Sequence, residues 1–135
     1  MCVFTPGEIA YLQSQPVGRL ATVGPDGQPH VVPMAFRYNP DHDTIDLGGY
    51  RISQSKKYRD AAANPRIAIV VDDVVSTDPW KVRMIEIRGE AELPPIGGQE
   101  IMPGFEDTFI RIHPRRIVSF GIDGEGWAPT ARSVS

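Results

Sequence analysis

What this chain of 135 residues lacks narrows it first. It has a single cysteine, Cys2, so no internal disulfide is possible and a reducing compartment fits. No apolar run approaches the roughly 20 residues a membrane span needs, and the N-terminal stretch carries no signal-peptide pattern, which makes the cytoplasm the expected location. Excess positive charge is missing too. A net charge of −3 and few interleaved basic and aromatic residues give no electrostatic support for nucleic-acid or acidic-membrane binding. His30, His42 and His113 are far apart and show no metal-ligand spacing. There is no Gly-x-Ser-x-Gly elbow, Walker loop or Rossmann glycine pattern, and Cys2 has no activating neighbours. An enzyme without its own nucleophile, metal or strong base usually takes its reactivity from a cofactor.

What the chain does have is short elements and turns. Thirteen glycines and thirteen prolines, spread throughout, favour β architecture over a helix bundle in a chain long enough for one core and one domain, 1–135. Thr5-Pro6-Gly7-Glu8 is a capping box that starts a helix to about Ser14, suited to plugging the open end of a β structure. Alternation then predicts strands over 18–23, 30–38, 44–48, 67–71 and 82–92, and two more over 109–112 and 117–122, broken at His113-Pro114. The 67–71 strand is apolar throughout and is expected to be buried on both faces. Residues 72–79 read as a polar loop ending in Trp80, 93–104 as a surface loop, and 123–135 as a tail. Pro33 inside a strand marks an edge, a bulge or a pocket wall. Glu86, Glu90 and Glu92 share their strand with Arg83 and Arg88, so charge pairing accounts for them better than acid–base work. Six or seven short strands with turn signals suggest a closed or partly closed barrel.

The stretch with chemical content is residues 53–66. Ser53 or Ser55 can cap a helix that Ala61, Ala62 and Ala63 favour and Asn64-Pro65 ends. Lys56 and Lys57 then fall in its first turn, where the helix dipole repels cations. A bound anion resolves the conflict, since N–H groups, hydroxyls and ammonium ions would converge on one phosphate. The alternative is two solvated surface lysines.

Residues 18–33 (Gly-Arg-Leu-Ala-Thr-Val-Gly-Pro-Asp-Gly-Gln-Pro-His-Val-Val-Pro), 57–66 leading into an apolar strand, 85–91 and 114–121 occur in that order. Together they resemble the split β-barrel flavin and deazaflavin oxidoreductases, the pyridoxamine 5′-phosphate oxidase-like superfamily, and most of all its small actinobacterial branch of coenzyme F420-dependent enzymes. The resemblance implies a mainly β, FMN-binding-like split barrel that forms a homodimer, with cofactor sites between subunits. It implies Lys57 as the phosphate-binding lysine, with Ser55 and Lys56 beside it, Pro33 and Met34 against the ring, and Trp80 as an aromatic closing the pocket. No catalytic side chain and no metal ligand is carried over. The implied function is hydride transfer from reduced F420 to a small conjugated acceptor. Arg51, Lys81 and Arg83 are further cations, open to two readings: holders of an acidic coenzyme tail or ordinary surface charges. An FMN-dependent oxidase or reductase, and a non-catalytic cofactor-binding module, stay open beside it.

Overall fold

A computed structural model describes residues 2–124 and 128–134. In it α1 (Pro6–Ser14) precedes β1 (Val17–Val23), β2 (Pro29–Asn39) and β3 (Thr44–Leu47). α2 (Lys56–Ala63) follows, then β4 (Arg66–Thr77), β5 (Trp80–Glu92), β6 (Ile110–Phe120) and β7 (Thr130–Ser133). The strands run β3-β2-β1-β4-β5-β6-β7, and β3 also pairs with β6, which closes six of them into a barrel. The two ends of β6 divide its outer edge: Ile110 to Ile112 pair with β3, Arg116 to Ser119 with β7. No helix among the described residues is long and apolar enough to cross a membrane.

Period-two alternation turns one side of each strand inward. Leu20, Ile45, Leu47, Ile69, Val71, Ile85, Ile87, Ile112 and Ile117 are all almost fully buried there. The capping box forms as its residues dictate: Thr5 accepts from the Glu8 N–H, and Glu8 accepts from the Thr5 N–H. α1 adds Tyr11 and Leu12 to the core. Glu8 is itself buried and ion-paired with Arg132 of β7, whose guanidinium also donates to the Val3 carbonyl at 2.7 Å. Residues 130–133, expected as tail, therefore form an edge strand tied to the N-terminus. Glu125, Gly126 and Trp127 of that tail lie outside the described residues.

Two further expectations change. Residues 72–77 are strand rather than loop, because Asp72 and Asp73 are neutralised by neighbouring strands. Arg19 of β1 donates to Asp72 at 2.7 Å, and Arg83 of β5 grips Asp73 through two bonds of 3.1 and 2.8 Å. β6 also runs unbroken through Pro114. The register with β5 shifts between Arg88 and Gly89, so Arg115 is the extra residue of a bulge. Gly89 makes room there, since a β-carbon would collide with the His113 carbonyl. On the other side Pro114 falls in the gap between β3 and β7, so no ladder calls for the N–H it lacks. Finally, β4 buries one face only: Ile67, Ile69 and Val71 point in, while Ala68 and Val70 are half-buried on the outer surface.

Candidate functional site

β2 pairs with β1 from Pro29 to Ala35 and with β3 from Phe36 to Asn39. Pro33, Met34 and Ala35 thus lie on an edge that β3 leaves open, a position where a proline is tolerated. β3 is followed by Gly48-Gly49, and a 3-10 turn over Ile52–Gln54 leads into α2. A pocket of about 350 Å³ opens between these segments, lined by Pro33 and Met34, by residues 48–52, by Lys57 and by Phe105. Gly48 lets the Phe105 ring approach; a β-carbon there would meet its Cδ2 at 2.7 Å.

Ser55 caps α2, accepting from the Tyr58 N–H at 3.4 Å while donating to the Ile52 carbonyl at 2.6 Å. That cap aims the next two lysines in different directions. Lys56 turns back along the helix and donates to both oxygens of Asp60 at 3.1 Å. Asp60 is 4% exposed and also accepts from the Thr22 hydroxyl. Burial pushes the Asp60 carboxyl up, but the Lys56 and Thr22 hydrogen bonds and the Lys56 charge outweigh it and hold the pKa below the usual carboxylate value. Lys57 has no hydrogen-bond or ion-pair partner among the described residues and is half-buried in the pocket wall. Burial lowers its pKa from the ordinary lysine value.

The structure therefore brings Pro33, Met34 and Lys57 together, with Ser55 as the cap behind them. Arg51 also reaches this pocket, its guanidinium donating to Gln54 at 2.8 Å. Lys56 is engaged elsewhere. Trp80 is 52% exposed at the start of β5, and together with Lys81 it lies outside the pocket lining. Arg83 is held by Asp73, and its guanidinium stacks on the Tyr11 ring at 4.9 Å. Sequence reasoning missed Gly48, Tyr50 and Phe105. The Gly48-Gly49 pair after a strand was the available signal for a close approach.

A larger trough, about 500 Å³, lies on the outer face over Ala21, Val23 and Ala68, with Arg66, Arg88 and Arg115 around it. Arg88 is paired with Glu86 at 3.0 Å and Arg115 with Glu90 at 3.3 Å. The smaller pocket alone combines an uncompensated, half-buried cation with an apolar wall. Among the described residues, no carboxylate, imidazole or thiol lines it. Such a site can grip an anionic group and pack a flat ring, and apart from the Lys57 ammonium and the Tyr50 hydroxyl the described residues lining it bring no acid, base or nucleophile.

This barrel belongs to a known class. The pyridoxamine 5′-phosphate oxidase family pattern matches residues 6–99, and the chain is a member of that family, an oxidoreductase. A 5a,11a-dehydrotetracycline/5a,11a-dehydrooxytetracycline reductase of Streptomyces rimosus subsp. rimosus is 49% identical over 122 residues, which is 90% of this chain and 86% of the relative. Among solved structures, an F420 reductase superposes with a TM-score of 0.62 at 26% identity, covering 84% of this chain and 98% of that one. A conserved hypothetical protein from Mycobacterium tuberculosis reaches 0.67 at 24% identity, covering 94% of each chain, a likeness of fold.

Proposed function

We propose that this protein is a coenzyme F420-dependent reductase acting in the cytoplasm on a conjugated, polyketide-like organic acceptor. The observation that carries the reading is the Lys57 ammonium, half-buried at the start of α2 with no partner among the described residues. Such a group is costly to keep charged unless an anion completes it, and a cofactor phosphate beside the helix N-terminus does so. The 49% identical reductase, named for a dehydrotetracycline, supports a polycyclic enone as acceptor. The F420 reductase neighbour supports the deazaflavin.

In this reading Lys57 and the Ser55-capped first turn bind the phosphate, while Pro33 and Met34 pack the ring and exclude water from one side of it. Arg51 at the same pocket suits an acidic coenzyme tail, which favours F420 over FMN, the alternative that the family match keeps in view. When bound and reduced, the deazaflavin supplies a hydride, and solvent can protonate the product. The protein works as a homodimer. Val17 and Val31 are 39% and 66% exposed on the outer barrel face, and Val74, Val75 and Trp80 are about half exposed on the β4–β5 hairpin; a second copy would cover both regions.

Side-by-side titration with F420 and FMN tests the cofactor, followed by turnover of a dehydrotetracycline with the reduced form. Tighter F420 binding with acceptor reduction is expected. Preferential FMN binding in a yellow protein would move the assignment to the flavin, and binding without reduction of any conjugated acceptor would make the chain a carrier.

A further inference from the structure

The connection between β5 and β6 is not slack. Its Gly98 N–H donates to the Asp107 carbonyl at 2.8 Å, and its Glu106 N–H donates to the Gly49 carbonyl at 2.9 Å. The Glu106 carboxylate accepts from both the N–H and the hydroxyl of Ser53. Thr108 shares a 2.8 Å hydrogen bond with Tyr58 of α2 and donates to the Pro94 carbonyl at 3.0 Å. A segment far along the chain is thus pinned onto the residues that precede and form α2.

The pinning has a product. It seats Phe105, 6% exposed, against Gly48, and the Tyr50 ring stands on Phe105 edge-on at 4.9 Å and 87°. Met102, 40% exposed, meets the Tyr50 hydroxyl through its sulfur at 3.8 Å. Tyr50 is consequently braced at base and tip yet remains 66% exposed at the pocket. A large aromatic ring, held in place but left open, is a contact surface waiting for a flat apolar partner. The pocket is also asymmetric. Its one half-buried cation is Lys57, whereas Tyr50 and Phe105 give the same pocket an uncharged aromatic wall.

We infer that Tyr50, braced by Phe105 and Met102 of the β5–β6 loop, is the acceptor-side wall of the Lys57 pocket and selects extended polycyclic acceptors over small ones. The inference rests on the reductase reading and deepens it. A fused-ring enone covers the Tyr50 face and reaches Met102, whereas a single-ring enone is too short to use both. The ring, not the hydroxyl, makes the contact.

The test uses the full-length, F420-loaded protein and a fluorescent tetracycline as the four-ring probe, with cyclohex-2-en-1-one as the one-ring probe. Tyr50 and Met102 are exposed enough for alanine variants to fold. Tyr50→Ala is expected to weaken tetracycline binding about tenfold, and Met102→Ala and Tyr50→Phe, which each remove the sulfur–hydroxyl brace, by no more than a few fold. F420 affinity in all three should stay within about twofold of wild type, and affinity for the one-ring probe should fall by clearly less than affinity for tetracycline. If F420 binds through Lys57 but tetracycline binds wild type and Tyr50→Ala alike, or not at all, the wall assignment is overturned while the reductase reading stands. If Tyr50→Ala weakens F420 as much as tetracycline, the ring belongs to the cofactor and the assignment is equally overturned. Failure of the wild-type protein to bind either F420 or FMN would remove the reductase reading and the wall with it.

Discussion

The Lys57 pocket and the arginine trough on the outer face differ in a way that size conceals. The trough is larger, about 500 against 350 Å³, and has three arginines to the pocket's Lys57 and Arg51. Yet Glu86 and Glu90 already neutralise two of them, and those four side chains are 29–57% exposed. Exposed pairs of this kind are worth little and leave little field for a ligand. Lys57 is single and half-buried, with its pKa lowered by desolvation. A binding site is marked by what remains uncompensated, and by that measure the smaller cavity is the better candidate.

The largest expected effect breaks the comparison outright if it fails. Lys57→Ala should raise the cofactor dissociation constant roughly ten- to a hundredfold, the worth of one charge-assisted phosphate contact of about 1.5–3 kcal/mol. Arg88→Ala and Arg115→Ala should each change it by less than about twofold. Fluorescence titration of the three variants decides it. Equal losses from Lys57 and Arg115 would mean the trough, not the pocket, carries the anion.

A pH titration sharpens the same contrast. Burial makes Lys57 release its proton at lower pH than an ordinary lysine, whereas a bound phosphate favours the charged form. Affinity should therefore be flat near neutrality and fall as pH rises through the Lys57 pKa, by up to about tenfold per pH unit for one linked proton. Lys57→Arg keeps its charge and should flatten the curve over the alkaline interval in which the wild-type protein loses affinity. Stability of the free protein should run the other way. The unfolded chain holds the Lys57 proton more tightly, so the folded state gains as pH rises through that interval. A wild-type affinity curve as flat as that of Lys57→Arg would show that Lys57 does not grip the anion.

Adjacent lysines give a smaller, more local contrast. Lys56→Ala should shift cofactor affinity by less than about threefold, because its ammonium already serves Asp60. It should nevertheless lower the melting temperature by several degrees, since Asp60, 4% exposed, would keep only the Thr22 hydroxyl. The double variant should then show nearly additive effects, one on binding and one on stability.

How far the sequence foretold this layout depends on the range of the interactions involved. The α1 capping box and the Ser55 cap are local, and both form where their residues predict. The alternation of Leu20 with Ala21, or of Ile85 with Glu86, reported the inward faces correctly because a barrel strand has one dry side. Asp72 and Asp73 misled, since their neutralising arginines sit on other strands and residues 72–77 look like loop without them. Pro114 misled because its tolerance depends on falling in the gap between β3 and β7, beside the bulge at Arg115. Within the site, the cationic side was legible from one helix start. The aromatic side was not, because Tyr50 and Phe105 meet only through a loop pinned to residues 49 and 53.

That pinning suggests the mildest perturbation, one that separates the two sides of the pocket by mechanism. Glu106 bonds to the Ser53 hydroxyl and N–H, and these bonds hold its carboxyl below the usual glutamate pKa. A depressed carboxyl contributes its stabilisation above the unfolded-state pKa and loses it only as pH falls through the folded value. Between about pH 6 and about pH 8 the pin is thus fully engaged, and no pH dependence of loop order should appear there. Glu106→Ala removes it at every pH. The Glu106 N–H bond to Gly49 remains, so the loop should loosen rather than detach. Faster amide exchange at Ser53 and a rise of about two- to fivefold in KM for a four-ring acceptor are expected, with cofactor affinity unchanged because Lys57 is untouched. Unaltered exchange at Ser53 would show that Phe105 packing on Gly48, rather than the carboxylate, holds the wall. A weaker grip on the cofactor would mean the charged and aromatic sides of the pocket do not act independently.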